Sequence, residues 1–78
     1  MNKEEFLENV KKQFIDADAI SLTLDMDFRQ IESYDSLTGM TIIVMIKDMY
    51  GIDLSDAEYK SQKTVEDLFN LIESKING

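Results

Sequence analysis

The chain has 78 residues and a formal net charge of −8, and it contains no cysteine, histidine or proline. We expect one domain over residues 1–78, with a small core that no disulfide supports. The acidic charge argues against nucleic acid as a partner, and no apolar stretch is long enough for a transmembrane helix or a signal peptide, so we expect a cytoplasmic protein.

The first predicted helix covers residues 3–15. Its core-facing residues fall at helical spacing, and charged residues take the other side; the apolar set is Phe6, Leu7, Val10, Phe14 and Ile15. Residues 16–35 lack a continuous pattern, and their alternating part, near Leu22 to Met26, would make only one strand without a partner. We therefore predict an ordered loop, which Phe28 and Ile31 anchor with a possible single helical turn nearby.

The second predicted helix covers residues 36–50 and has two different faces. One face should pack in the core, and its members are Gly39, Ile42, Ile43, Ile46, Met49 and Tyr50. The opposite face should be at least partly exposed although half of it is apolar, and its members are Leu37, Met40, Thr41, Val44, Lys47 and Asp48. Such a mixed face fits a docking surface, while the alternative is a central helix packed on most of its surface.

The start of this helix, Asp35-Ser36, is the candidate functional site of the sequence. Both residues are good N-caps, and a serine there directs its hydroxyl away from the fold. Free backbone N–H groups and the positive end of the helix dipole favour an anionic group on that oxygen. The position therefore suits covalent attachment better than catalysis.

Two further helices are predicted after Gly51, a C-cap candidate. Ser55 and Glu58 form a capping-box pattern ahead of a short helix near residues 56–61. Thr64 caps a last helix over residues 65–76, with acids in its first turn and a lysine in its last.

The composition leaves few enzymatic possibilities. Without His and Cys, the chain lacks Ser-His and Cys-His catalysis and the usual zinc ligands. The acid pairs Asp16/Asp18 and Asp25/Asp27 lack the glycine and glutamate that a calcium loop places after them. We therefore expect neither an enzyme nor a metal site.

In the order and length of its elements, the chain resembles the acyl carrier protein family, which includes aminoacyl and peptidyl carrier domains. The resemblance rests on Asp35-Ser36-Leu37 at the start of the second helix, on the segments at 50–54 and 64–68, and on Phe28 and Ile31 in the loop. It implies an all-α fold, a small four-helix bundle with three longer helices, a short third helix and a long loop between helices one and two.

By this resemblance, Ser36 is the residue to which a phosphopantetheinyl transferase attaches phosphopantetheine from coenzyme A. The arm would hold acyl or aminoacyl groups as thioesters, and the bundle can shelter an acyl chain between its helices. Loading and transfer enzymes with basic and apolar patches would dock on a recognition surface of Asp35, Leu37, Met40, Thr41, Val44, Lys47 and Asp48. The protein would act as a monomer.

Two departures from the family pattern predict a specialised stand-alone carrier. Ser33 stands where many fatty acid synthesis carriers have glycine, and Thr41 and Lys47 occupy a face that those carriers line with acids. The alternative is an acidic helical adaptor that binds a partner without a covalent group. The acids over residues 25–58, which carry −6 of the total charge, would steer basic partners or merely keep the protein in solution.

Overall fold

A computed structural model describes residues 2–78 as four α-helices and one short 3-10 helix. The helices are α1 (Lys3–Lys11), α2 (Ser36–Tyr50), α3 (Asp56–Lys60) and α4 (Val65–Asn77), and the 3-10 helix covers Phe28–Gln30. Within residues 2–78 the extended backbone pairs at a single isolated bridge, between Asp27 and Thr64, and forms no strand. The predicted all-α bundle and its long ordered loop are confirmed.

Local capping signals explain where α3 and α4 begin and where α2 ends. Ser55 and Thr64 each accept a hydrogen bond from the residue three positions on, and Glu58 and Asp67 return the bond to the N-cap backbone. Gly51 ends α2 with a φ of 70°, a left-handed conformation that glycine adopts without strain. These predicted caps are confirmed.

The core lies where α1 packs against α2 and α4. Each fully buried large apolar side chain contributes about 1.5–3 kcal/mol to folding. The aromatic contacts link the helices, since Phe6 lies edge-on to both Tyr50 of α2 and Phe69 of α4. The buried apolar set is Phe6, Val10, Phe14, Leu22, Phe28, Ile42, Met45, Ile46, Leu54, Tyr59, Val65, Leu68, Phe69 and Ile72.

The end of α1 differs from the prediction. The helix stops at Lys11, and the next turns tighten to bonds from Gln13 N to Val10 O and from Phe14 N to Lys11 O. This change of winding keeps Phe14 in the core and turns Ile15 outward, where it is 93% exposed. The prediction of a helix to residue 15 with Ile15 on its core face is therefore wrong.

The core face of α2 is also partly different. Ile42 and Ile46 are fully buried as predicted, but Met45 is buried and Met49 is 56% exposed. The last turn of α2 is held against α1 by Tyr50, whose hydroxyl accepts a hydrogen bond from Asn9 Nδ2 at 2.9 Å. Tyr50 fills the contact at this level, so the prediction that Met49 faces the core is wrong.

None of the helices in residues 2–78 has the length and apolar character that crossing a membrane requires.

Candidate functional site

Ser36 is the first residue of α2, and its side chain is exposed. Asp35 is the N-cap: its Oδ1 accepts hydrogen bonds from Thr38 N at 2.9 Å and from Thr38 Oγ1 at 3.0 Å. The Ser36 hydroxyl makes no hydrogen bond to any residue in 2–78. The sequence thus folds locally so that a fixed carboxylate precedes a free, outward-facing hydroxyl.

The Asp35 carboxylate is held in its ionised form. The hydrogen bond from the Thr38 backbone N–H, followed by that from the Thr38 side chain, lowers the pKa of Asp35 below its ordinary value. Both bonds end on Oδ1. Asp35 is exposed, so its negative charge beside Ser36 is accessible to a cation on a partner.

An open cleft of about 710 Å³ lies on one side of Ser36, between α2 and α3. Two tyrosines form its inner wall: Tyr34 Oη and Tyr59 Oη are 2.9 Å apart, over Gly39. Burial is the main cause that raises the pKa of Tyr59, so its hydroxyl stays protonated. The cleft is lined by Arg29, Tyr34, Asp35, Ser36, Gly39, Met40, Ile43, Asp56, Tyr59 and Lys60.

Arg29 fixes the far wall of this cleft. Its guanidinium donates to Tyr59 O at 2.7 Å and to Gln62 O at 2.5 Å, joining the loop to α3 and the turn after it. The guanidinium carbon also lies 4.7 Å from the ring centres of both Phe28 and Tyr59. These contacts make the 3-10 helix, rather than α3 alone, the support for the tyrosine pair.

A second opening, an apolar groove of about 460 Å³, lies on the other side of α2. Leu37, Met40 and Val44 are 66%, 62% and 55% exposed, so the predicted exposed face of α2 is confirmed and a helix packed on most of its surface is excluded. The groove is lined by Gln13, Leu37, Met40, Thr41, Val44, Met45, Asp48 and Met49.

The structure divides the predicted recognition surface into two parts. Five of its seven residues line the groove, namely Leu37, Met40, Thr41, Val44 and Asp48. Thr41 is half-buried, and its hydroxyl donates to Thr38 O at 2.9 Å. Lys47 lies outside the groove lining, with its Nζ 3.9 Å from an Asp53 carboxylate oxygen. Asp35 lines the cleft instead of the groove.

Sequence reasoning missed the tyrosine pair, Arg29 and the α1 end of the groove. The glycine inside α2 was the available signal, because a glycine in a helix can leave space for a neighbouring group. That neighbour is a side chain: a Cβ on Gly39 would lie 2.6 Å from Tyr34 Oη. The sequence did not indicate that Gln13 and Met49 line the groove, because their positions there depend on where α1 ends.

Residues 5–72 match the protein family described as "Phosphopantetheine attachment site". The chain is 32% identical over 80 residues to an acyl carrier protein of Petrotoga mobilis, covering 99% of this chain and 94% of the relative. It is 29% identical to an acyl carrier protein of Thermosynechococcus vestitus, covering 97% and 98%, and 32% identical to polyketide-8 synthase acyl carrier protein 2 of Streptomyces avermitilis, covering 97% and 86%. The chain therefore belongs to the acyl carrier protein family, and it is a carrier that bears a covalent phosphopantetheine group.

Proposed function

We propose that Ser36 is the attachment residue and that residues 1–78 form one carrier domain. The observation that carries the proposal is the exposed, unbonded Ser36 hydroxyl at the start of a 15-residue helix, between a cleft and an apolar groove. The chain holds acyl or aminoacyl groups as thioesters and presents them to enzymes, and it catalyses no reaction itself.

The residues around Ser36 fit a phosphopantetheine arm. Its phosphodiester is anionic, and the positive end of the α2 dipole favours a negative charge at this position. Arg29 and Lys60 lie in the same cleft and add positive charge, although each has a partner: Arg29 bonds main-chain carbonyls and Lys60 pairs with Asp56 at 2.9 Å. When bound, the arm supplies the thiol that the sequence lacks.

The cleft and the groove suit different functions, the first near the attachment residue and the second for contact with partner enzymes. The cleft adjoins Ser36, where the arm would begin, while the groove offers exposed apolar side chains together with an acid, Asp48. Apolar residues at the centre of a contact dominate its energy, and rim charges act mainly on the association rate. We propose that the transferase contacts Asp35 and Leu37, and that loading and transfer enzymes insert apolar side chains into the groove.

The charge pattern of α2 supports a dedicated pathway over general fatty acid synthesis. Thr41 and Lys47 leave Asp48 as the acid on the exposed face of the helix. Lys47 is 56% exposed at its side chain, and its long contact with Asp53 neutralises it only weakly. A partner surface rich in Arg or Lys would meet a like charge here, so we propose a specialised stand-alone carrier.

The test is intact mass after incubation with coenzyme A, magnesium and a broad-specificity phosphopantetheinyl transferase. We expect the native chain to gain the mass of one phosphopantetheine group and Ser36→Ala to gain none. Ser33→Ala is the matched control: the Ser33 hydroxyl is already engaged, donating to Asp16 at 2.7 Å, so its loss should leave modification unchanged. An unmodified, well-folded native chain would refute the carrier function.

The second candidate function is a helical adaptor that binds a partner through the groove alone. The observation that favours it is that the groove is open and apolar without any contribution from Ser36. A partner that binds native and Ser36→Ala chains equally, with no modification of either, would support the adaptor.

A further inference from the structure

The inner wall of the cleft beside Ser36 is polar, because the hydroxyl groups of Tyr34 and Tyr59 form it. A chain that passed from the cleft into the core would have to cross this wall. Behind it lies Phe28, fully buried, with its ring centre 6.0 Å from those of both Tyr34 and Tyr59. In front of it, the two hydroxyls meet at 2.9 Å and join the segment before α2 to α3. The pair therefore separates the cleft from the apolar interior.

Gly39 makes this closure possible. It is buried in α2, and a Cβ there would lie 2.6 Å from Tyr34 Oη and 3.5 Å from Tyr59 Oη. The absence of a side chain at this position leaves the space that the hydroxyls occupy. A long apolar chain that entered the bundle here would have to part the two hydroxyls and leave them unbonded away from water, which is unfavourable.

The pair also offers one unused hydrogen-bond donor. Two phenol groups carry two O–H protons, and a single bond between them uses one. Neither hydroxyl has another hydrogen-bond partner within residues 2–78. Either hydroxyl can be the donor of the bond between them, and both residues line the cleft, with Tyr34 half-buried. The remaining proton can therefore bond an oxygen of a group held there.

We propose that Tyr34 and Tyr59 set the cargo class of this carrier. The pair keeps long saturated chains out of the bundle, and the cleft holds a short acyl group with a hydrogen-bond acceptor oxygen at the surface. This inference rests on the proposed attachment at Ser36, because an arm on that residue would begin at the lining of the same cleft. It assigns the two tyrosines as specificity-determining residues for the loaded carrier.

The experiment loads the full chain with acetyl, octanoyl, butyryl or 3-hydroxybutyryl phosphopantetheine, using the transferase and the matching acyl-coenzyme A. Intact mass first verifies loading, so a failure of the proposed attachment appears at this step for every acyl group. The rate of thioester cleavage by hydroxylamine is then measured and divided by the rate for the same acyl group on free pantetheine.

For the native chain, we expect the corrected octanoyl and acetyl rates to agree within about twofold. If the octanoyl chain were instead enclosed in an apolar site, each enclosed methylene group would favour the enclosed state about fourfold, and octanoyl cleavage would be slower than acetyl cleavage. Tyr34→Ala should open the wall and slow octanoyl cleavage selectively. Tyr50→Ala, which removes another half-buried tyrosine remote from the cleft, should not. Strong octanoyl protection in the native chain would overturn the proposal.

The acceptor oxygen is tested separately by comparing butyryl with 3-hydroxybutyryl, which differ by one hydroxyl group. The native chain should slow cleavage of the hydroxylated group more than that of butyryl. The double substitution Tyr34→Phe/Tyr59→Phe, which removes both hydroxyls and retains both rings, should abolish this difference. Circular dichroism verifies that each variant is folded. Equal corrected rates for both groups on the native chain would overturn the polar-cargo assignment.

Discussion

Alanine at Gly39 should destabilise this protein although alanine is the better helix former. The change gains about 1 kcal/mol of helix propensity, and no positive φ opposes it. Its Cβ, however, would meet Tyr34 Oη at 2.6 Å, so the tyrosine must move. That movement breaks the hydrogen bond to Tyr59 and leaves its buried hydroxyl unpaired, which together cost about 1–3 kcal/mol.

The net expectation is a loss of about 1 kcal/mol in the free energy of unfolding, equivalent to about 4–8 °C in a domain of this size. Tyr34→Phe should reverse the sign. Without the hydroxyl, the nearest atoms to the new Cβ are Tyr34 Cζ and Tyr59 Oη, both at 3.5 Å, an ordinary contact. In that background Gly39→Ala should stabilise the protein by up to about 1 kcal/mol.

Urea unfolding followed by circular dichroism measures the four proteins of this double-mutant cycle. The expected coupling between positions 34 and 39 lies within the range of about 0.5–3 kcal/mol that contacting residues show. If Gly39→Ala has the same effect in both backgrounds, or stabilises the native chain, the hydroxyl contact does not determine the need for glycine.

Three further predictions concern charge and docking. Because acids dominate residues 25–58, added salt should raise the melting temperature, and a flat response would show that this repulsion is unimportant. The hydrogen bond from Lys75, followed by that from the Ser55 backbone, lowers the pKa of Glu58 from 4.5 to about 2. The stability that the Glu58 carboxylate contributes is therefore complete above pH 4.5 and is lost as the pH falls toward 2. Glu58→Gln should flatten the dependence of stability on pH across this window, and an unchanged pH profile would contradict the assignment. Lys47→Glu with Thr41→Glu should raise transfer rates with general fatty acid synthesis enzymes at fixed ionic strength, and equal rates would show that this face does not select partners.

Truncating exposed apolar side chains of the groove tests whether the groove binds partner enzymes. Met40→Ala and Val44→Ala should each weaken the binding of a dedicated partner enzyme about tenfold, which is more than the charge changes do. The reason is that apolar side chains that become buried at the centre of a contact dominate its binding energy. Ile76→Ala is the matched control, because Ile76 is a similarly exposed apolar residue on α4 outside the groove. A comparable loss with Ile76→Ala would show that the effect is not specific to the groove.

The caps and the bounds of α2, α3 and α4 could be predicted because their signals are local. Asp35, Ser55 and Thr64 each bond a backbone N–H three residues away, so the sequence around them contains the whole interaction. The exposure of Leu37 and its neighbours also follows from helical periodicity once the opposite face is apolar.

The remaining features depend on contacts between distant parts of the chain. The end of α1 depends on Phe14, which enters the core beside Tyr34, their ring centres 6.2 Å apart. The tyrosine pair joins positions 25 residues apart, and periodicity gives no indication of such a meeting. The cleft could therefore not be predicted, whereas the exposed serine at the start of α2 could. The role of Ser36 as the attachment residue stays a prediction. The monomeric state and the cytoplasmic location stay predictions.

Tandem mass spectrometry of the modified tryptic peptide locates the phosphopantetheine group on one residue. Cleavage after Arg29 and Lys47 releases residues 30–47, which contain both Ser33 and Ser36. We expect fragment ions that place the phosphopantetheine group on Ser36 and leave Ser33 unmodified. A group on Ser33, or on a peptide outside residues 30–47, would contradict this assignment.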